Sequence, residues 1–241
     1  MGVDVLYDSS NNNDTISSLN GKETNIFLDG RTLYKDGKWN TLCLPFDLTL
    51  SGSVLDGADA RALSSASLSN GTLTLNFSTP VDELTAGTPY IIKWAGDGTN
   101  NLVNPVFTNV TVSTATHFTS GNVTFKGTYS PVTFDAGDKS VLFMGGNNNL
   151  YYPASDMTMG AFRAYFQLAD GSSIKEFRLN FDGGDDADGL SEYSEYSEYS
   201  ENSEGWFDLS GRKLDDSKFK IQNSKLPSGI YIHNGRKVMV K

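Results

Sequence analysis

The sequence contains a single cysteine, Cys43, and two histidines, His117 and His233. One thiol excludes an internal disulfide bond and a zinc site built from several cysteines. A catalytic triad would have to use one of the two histidines, and the sequence has no G-x-S-x-G nucleophile motif. Both histidines flank predicted turns, and Cys43 lies in TLCLPF, a predicted buried strand where a thiol behaves as a small apolar side chain. None of the three residues therefore argues for an active site.

Long apolar runs are also missing. No run reaches the length of about 18 residues that a membrane-spanning helix needs, so no membrane span is predicted. The first residues, MGVDVLYDSSNNND, have neither the basic n-region nor the apolar h-region of a signal peptide. We therefore expect either a cytosolic chain or the C-terminal part of a longer product.

Basic residues are scarce and unevenly placed. The net charge is −10, from 29 acids and 19 bases. Residues 182–204 hold nine acids and no base, whereas residues 205–241 hold eight bases and three acids. An acidic body is repelled by phosphates, and eight bases on a short tail give a weak electrostatic footprint. A nucleic-acid partner is therefore not expected.

Short β-type runs fill residues 25–181. They are rich in β-branched and aromatic residues and are separated by turns that contain glycine and asparagine. The run TLTLNF places Leu73, Leu75 and Phe77 on one face, and SVLFMGGNNNLYYP is typical of a hairpin. No convincing helix is predicted, because TISSL and VDEL are too short to stand alone. The predicted fold class is all-β, with a β-sandwich-like body of about ten antiparallel strands and a small C-terminal β-hairpin unit.

The chain divides into four predicted parts. Residues 1–24 form an irregular N-terminal segment, residues 25–181 the β-sandwich module, residues 182–204 an acidic linker and residues 205–241 the C-terminal unit. The linker repeats SEY three times, and its like charges and few aliphatic side chains predict disorder. Part of it matches an EF-hand calcium loop, but glycine stands at the first ligand position. We therefore expect neither a metal nor a cofactor.

The C-terminal unit is predicted to end in a hairpin, GIYIHNGRKVMV. The pair Asn234-Gly235 suits a type I′ turn. The resulting register pairs His233 with Arg236, Ile232 with Lys237, Tyr231 with Val238, and Ile230 with Met239. In WFDLSGRKL a second short strand pair is predicted across Ser210-Gly211. A unit of fewer than about 40 residues is too small for a secure independent core, so its stability is expected to be marginal.

Two kinds of ligand site are compatible with the sequence. Exposed aromatic side chains can form a sugar-stacking platform, and the candidates are Trp39, Trp94, Tyr151 and Tyr152. Paired carboxylates support glycoside hydrolysis, but the loop acids show no sequence signal for a pair. A carbohydrate-binding module and a β-sandwich hydrolase are therefore kept as alternatives.

Several motifs of the body occur together and in the same order in a known module. They are RTLYKDGKWNTLCLPFDL, SGSVLDGADARALSSAS, GTLTLNF, ELTAGTPYIIKW, LVNPVF, GTYSPV and FRAYFQL…IKEFRLNF. Residues 25–181 thereby resemble a β-rich module of large secreted and surface proteins of anaerobic Gram-negative bacteria. The resemblance implies a non-catalytic, adhesin-like role, with a surface glycan or a host protein as partner.

The tail WFDLSGRKL…LPSGIYIHNGRKVMVK resembles a short form of the C-terminal sorting domain of the type IX secretion system. The matching residues are Asp208, Leu209, Gly211, Arg212, Leu226, Gly229, Ile230, Tyr231, Lys237, Val238 and Lys241. This resemblance implies export across the outer membrane, with the export machinery as partner and with removal of the tail. Together the two resemblances predict a non-enzymatic β module of a cell-surface or secreted protein that carries a C-terminal sorting-type tail.

Overall fold

The computed structural model describes residues 2–116, 123–145, 148–169 and 174–181, and the strand residues 206–207, 229–233 and 236–240. The chain divides into two compact units, Met1–Tyr193 and Ser194–Lys241. Several predicted features lie outside the described residues. They are His117, the linker with its calcium-loop match, the turn residues Asn234 and Gly235, the predicted pairing across Ser210-Gly211, and the sorting-motif residues Asp208, Leu209, Gly211, Arg212, Leu226 and Lys241.

Strands dominate the described part of the first unit, which contains one helix, α1 (Asn13–Leu19). Its strands are β1 (Val3–Tyr7), β2 (Glu23–Asp29), β3 (Thr32–Leu33), β4 (Asn40–Cys43), β5 (Leu48–Thr49), β6 (Asp59–Ser69), β7 (Thr72–Phe77), β8 (Glu83–Leu84), β9 (Pro89–Lys93), β10 (Leu102–Val103), β11 (Val106–Thr111), β12 (Val123–Thr128), β13 (Val132–Phe134), β14 (Val141–Met144), β15 (Leu150–Tyr151), β16 (Met157–Met159), β17 (Arg163–Leu168) and β18 (Glu176–Phe181). The all-β prediction is confirmed.

Three sheets organise these strands. A three-stranded sheet has the order β1-β2-β11, a five-stranded sheet the order β18-β7-β6-β9-β4, and a four-stranded sheet the order β12-β17-β14-β15. The pairs β3–β10, β5–β8 and β13–β16 are separate two-stranded ladders. The ladders of the unit are antiparallel except β1–β2 and β7–β18, which are parallel. The strands are therefore more numerous than predicted, and two of the pairings are parallel rather than antiparallel.

The five-stranded sheet lies between two hydrophobic cores, as strand β9 illustrates. Tyr90 and Ile92 belong to the first core, and Ile91, which points the other way, belongs to the second. The first core also contains Leu6, Ile16, Ile26, Leu28, Leu42, Ala60 and Phe107. The second joins the five-stranded to the four-stranded sheet through Leu73, Leu75, Phe77, Val123, Phe125, Phe166 and Phe177. The first unit therefore contains three layers of sheet, with the five-stranded sheet in the middle. The second core joins this middle sheet to the four-stranded sheet, and the first core joins it to the three-stranded sheet.

The local sequence signals of strand and turn are confirmed where they are strongest. Strand β7 alternates as predicted, with Leu73, Leu75 and Phe77 buried. The turn before it holds Asn70 at φ 53° and Gly71 at φ 86°, the left-handed region that asparagine and glycine tolerate best. Strands β14 and β15 form the predicted hairpin.

The prediction of an irregular segment at residues 1–24 is wrong. Strand β1 pairs in parallel with β2 along its whole length, so this segment is part of the three-stranded sheet. The segment TISSL lies in helix α1, contrary to the prediction of no helix. The helix is short, and the burial of Ile16 and Leu19 in the first core supplies the stability that its length does not.

The described strands of the second unit are β19 (Trp206–Phe207), β20 (Gly229–His233) and β21 (Arg236–Val240). The predicted register of the terminal hairpin is confirmed, from His233↔Arg236 to Ile230↔Met239. Strand β19 pairs with β20, through Trp206↔His233 and Phe207↔Ile232. The described strands of this unit therefore form a three-stranded antiparallel sheet in which the middle strand carries the GIY motif.

Candidate binding cleft

The two tryptophans predicted for a sugar-stacking platform are both buried. Trp39 is 7% exposed and belongs to the second core, where Phe181 stacks on it at 5.3 Å between ring centroids. Trp94 is 5% exposed, belongs to the first core and donates from Nε1 to the carbonyl oxygen of Asp56 at 3.1 Å. The two indoles therefore lie in different cores and offer no shared face to a ligand.

The two tyrosine candidates are more accessible but engaged. Tyr151 is 37% exposed, and its ring lies 6.0 Å from that of Phe143 in a stacked arrangement. Tyr152 is half-buried, and Lys139 Nζ lies 4.4 Å from its ring centroid. The structure therefore does not bring the four predicted aromatic residues together as one platform.

The loop acids considered for hydrolysis are Asp56, Asp59, Asp82, Glu83 and Asp97, and two of them, Asp59 and Asp97, serve local structure, as does Asp138. Asp59 forms an ion pair of 2.8 Å with Arg61. Hydrogen bonds from the Thr99 hydroxyl and backbone N–H lower the pKa of Asp97, and Ser140 lowers the pKa of Asp138 in the same way. A general acid needs a raised pKa, so neither of these two carboxyl groups is suited to that role. Among the residues the structure describes, no cluster of three or more histidine, cysteine or acidic side chains could hold a metal ion.

Cys43 is buried, as predicted. Burial raises the pKa of its thiol to about 12, although a hydrogen bond with Tyr129 opposes the shift. The Tyr129 hydroxyl donates to the carbonyl oxygen of Leu44 at 3.1 Å, and burial raises its pKa as well. At neutral pH both groups are therefore protonated, which is typical of a packing role rather than of a nucleophile.

A cluster of charged side chains links the ends of two strands. Asp8, which follows β1, forms an ion pair with Arg163 at the start of β17. Arg31 is buried beside them and donates to the carbonyl oxygens of Thr32 at 2.6 Å and Thr41 at 2.8 Å. Burial, with a smaller contribution from Arg163, lowers the pKa of Arg31 to about 9. This cluster ties three elements of the fold together, and within the described residues the buried Nε of Arg31 has no hydrogen-bond partner.

The outer edge of strand β1 is covered by a side chain. The amide of Asn12 accepts from the backbone N–H of Tyr7 and donates to its carbonyl oxygen, both at 2.8 Å. Asn12 is 2% exposed and also bonds the carbonyl oxygens of Ser10 and Tyr129. Its carboxamide thereby takes the place of a neighbouring strand at this position of the edge.

The opposite edge of the same sheet borders a cleft. Strand β11 pairs only with β2, and β5 pairs only with β8, among the residues that the structure describes. The chain segments that contain β5 and β11 meet at the single bridge between Phe46 and Val112 and then separate. The space between them is a cleft of about 470 Å³. Its walls are Asp47, Leu48, Thr49, Ser51, Gly52, Ser53, Val54, Val106, Phe107, Thr108, Asn109 and Val110.

The cleft combines polar walls with apolar side chains. Hydroxyl and amide groups come from both strands and from the loop after β5, whereas Leu48, Phe107 and Val110 are buried apolar residues. Asp47 is the charged residue of the lining. One of its oxygens, Oδ1, accepts from the backbone N–H of Ala86 at 2.7 Å. A second concavity of about 320 Å³ on β5 and β8 shares Asp47, Leu48 and Thr49, and it adds Glu83.

The sequence did not predict this cleft. Its walls are separated by about fifty residues along the chain, and β5 is only two residues long. A local irregularity gives the one visible hint. The ladder between β11 and β2 shifts register between Phe107 and Val110, and Asn109 adopts φ 55° there. An asparagine inside an otherwise regular strand, as in NPVFTNVTV, is the sequence signal for such a bulge.

Five residues of the predicted sorting motif lie on described strands. Gly229, Ile230 and Tyr231 are on β20, and Lys237 and Val238 are on β21. Tyr231 is paired directly with Val238, so these two motif positions are cross-strand neighbours.

Comparisons with known proteins give no further assignment, since no protein-family model, no curated protein and no solved structure matches this chain. No helix in the described ranges is long and apolar enough to cross a membrane.

Proposed function

We propose that this chain is a non-catalytic β module of a cell-surface or secreted bacterial protein, and that its C-terminal unit acts as a sorting signal. The observation that carries the proposal is the placement of the motif positions. Gly229, Tyr231, Lys237 and Val238 fall on two paired strands of a compact unit that is separate from the body. An export receptor has to recognise its signal while the cargo is folded, which favours a small unit at the end of a solvated tether.

The body supports the non-catalytic part of the proposal. The thiol of Cys43 is engaged in packing, and both Nη atoms of Arg31 donate to backbone carbonyl oxygens. The two carboxyl groups with shifted pKa values, Asp97 and Asp138, are shifted away from general-acid behaviour. The alternative of a carbohydrate-binding module has less support, because Trp39 and Trp94 are buried in different cores.

The sorting proposal is tested by transferring the tail. Residues 182–241 are fused behind a signal peptide and a folded reporter protein, and the fusion is expressed in a bacterium with a type IX secretion system. We expect the reporter on the cell surface or in the medium. Fractionation and protease accessibility of intact cells measure the outcome.

A matched fusion that carries only residues 182–204 serves as the control. This fusion keeps the acidic tether and removes the strands, so its reporter is expected to stay in the periplasm. Periplasmic retention of both fusions would contradict the proposal. Surface exposure of both would show that the tether, not the paired strands, is recognised.

A further inference from the structure

We propose that the cleft between β5 and β11 binds an extended peptide of a partner protein by strand addition, and that Asp47 selects a basic side chain of that peptide. The proposal concerns the body and is independent of the sorting role of the C-terminal unit. It rests on the direction of the backbone groups, the shape of the cleft and the charge of its lining.

The backbone groups of Val106 on β11 point into the cleft. Leu28 donates its N–H to the carbonyl oxygen of Pro105, which makes these two residues a hydrogen-bonded pair of the antiparallel ladder. The next pair, Val106 and Phe27, is therefore the non-hydrogen-bonded kind. The N–H and C=O groups of Val106 are thus directed away from β2, toward the open edge.

The same argument applies to β5 on the other wall. Leu50 donates its N–H to the carbonyl oxygen of Asp82, so Leu50 and Asp82 are a hydrogen-bonded pair. Thr49, which is paired with Glu83, is then non-hydrogen-bonded and directs its N–H and C=O groups away from β8. Two strand edges with free backbone groups therefore line one cleft.

The shape of the cleft suits a strand. The bridge between Phe46 and Val112 closes one end, and the chain segments diverge from it. A volume of about 470 Å³ lies within the range of about 300 to 1,000 Å³ that is usual for ligand sites. An extended peptide can form main-chain hydrogen bonds with a free edge while its alternate side chains enter the space beside it. Here one set of side chains would meet Val106, an apolar residue of the lining that is 42% exposed.

The charge of the lining indicates which peptide fits. Asp47 lies at the cleft and Glu83 lies on the adjoining concavity, and no basic residue in the described part of the chain lines either of them. Of the two oxygens of the Asp47 carboxylate, Oδ1 accepts from the backbone N–H of Ala86. Among the residues described, Oδ2 has no hydrogen-bond partner. A lysine or arginine on the peptide would complement this carboxylate, whereas an acidic side chain would be repelled.

The first experiment probes the whole chain with a random array of capped octapeptides. We expect the bound peptides to alternate β-branched residues and to be enriched in lysine or arginine. The variant Asp47→Asn keeps an oxygen for the Ala86 N–H and removes the charge, and it should weaken the strongest peptides about tenfold. The exposed loop residue Asp135 gives the matched control, Asp135→Asn, which should leave binding unchanged.

The second measurement locates the peptide. Amide hydrogen exchange followed by NMR should show new protection at Thr49 and Val106 when the strongest peptide is added. N-methylation of every second peptide bond should abolish binding when it removes the N–H groups that face the strand edge. The same modification on the other peptide bonds should leave binding intact. The proposal would be overturned by an array without binders, by a preference for acidic peptides, or by protection confined to other strands. It would also be overturned if the chain bound glycans through Asp47 and bound no peptide.

Discussion

The two edges of the three-stranded sheet differ in what covers them. At β1, the Asn12 carboxamide occupies both backbone groups of Tyr7, and the Asp4 carboxylate accepts a hydrogen bond of 2.6 Å from buried Thr24. At β11, the free backbone groups border a cleft. An exposed strand edge is a template for pairing, and proteins usually block it with a covering group or an inward-pointing charge. Because this sheet blocks one edge with both devices and leaves the other open, the difference favours binding at the open edge.

Removal of the Asn12 side chain should have the largest effect on this comparison. Asn12→Ala deletes four hydrogen bonds, of which the one to the Tyr129 carbonyl oxygen is buried, and leaves the backbone groups of Tyr7 without their partner. We expect the free energy of unfolding to fall by about 3 kcal/mol, because unsatisfied buried groups are costly. Urea denaturation measures this loss.

The uncovered β1 edge should also pair with other molecules. Analytical ultracentrifugation of Asn12→Ala is therefore expected to show concentration-dependent association. The adjacent variant Asn13→Ala is the control, since Asn13 is exposed and its side chain makes a single contact of 3.2 Å with Ser130. A monomeric Asn12→Ala protein of unchanged stability would show that the carboxamide does not close the edge.

Alkaline pH should weaken the closed edge by a different route. The backbone of Tyr129 holds Asn12 in place, and burial raises the pKa of both Tyr129 and Cys43. The pKa of Cys43 rises from 9.0 to about 12, so the folded state favours the protonated thiol. This stabilisation is complete below about pH 9 and is lost as the pH rises toward 12. For Cys43 alone, stability at pH 10 should be about 1.4 kcal/mol lower than at pH 8.

The variant Cys43→Ala isolates the thiol contribution. Its unfolding free energy, measured between pH 8 and pH 11, should decline less steeply than that of the natural chain. Equal slopes would mean that the thiol is not protected from ionisation in the folded state. Exchange of the Tyr7 amide, followed over the same range, tests whether the edge opens as the pH rises.

The features that the sequence predicted are those with local signals. Alternation specifies β7, and asparagine and glycine specify the turn before it and the register of the terminal hairpin. The N-terminal segment has no such signal. Strand β1 depends on parallel pairing with β2, and α1 depends on the burial of Ile16, so both are fixed by contacts that a local pattern does not reveal.

The candidate site follows the same rule. A tryptophan between polar residues is compatible with exposure or with burial, and only the packing of Phe181 against Trp39 decides between them. The cleft is also non-local, since it forms where β11 and the two-residue strand β5 diverge. The bulge at Asn109 was the only part of the site with a signal in the sequence.

Neutralising the inward-pointing charge of β1 should have a smaller effect than removing Asn12. Asp4→Asn keeps an oxygen for the Thr24 hydroxyl, so stability should fall by only about 0.5 to 1 kcal/mol. Self-association should nevertheless increase slightly, because a charge on an edge strand opposes pairing. Sedimentation at several concentrations measures it, with Asp135→Asn as the control for net charge. Unchanged association would assign the protection of this edge to Asn12 alone.

The smallest effect on stability is expected at the open edge itself. Thr108 is exposed, so Thr108→Lys should change the unfolding free energy by no more than about 0.5 kcal/mol. The new cation at the cleft should nevertheless weaken basic octapeptides, because it opposes their attraction to Asp47. Thr15→Lys adds the same charge on the exposed face of α1 and should leave peptide binding intact. If Thr108→Lys destabilised the fold as much as Asn12→Ala, the β11 edge would be part of the structural framework, and the contrast between the two edges would no longer point to binding.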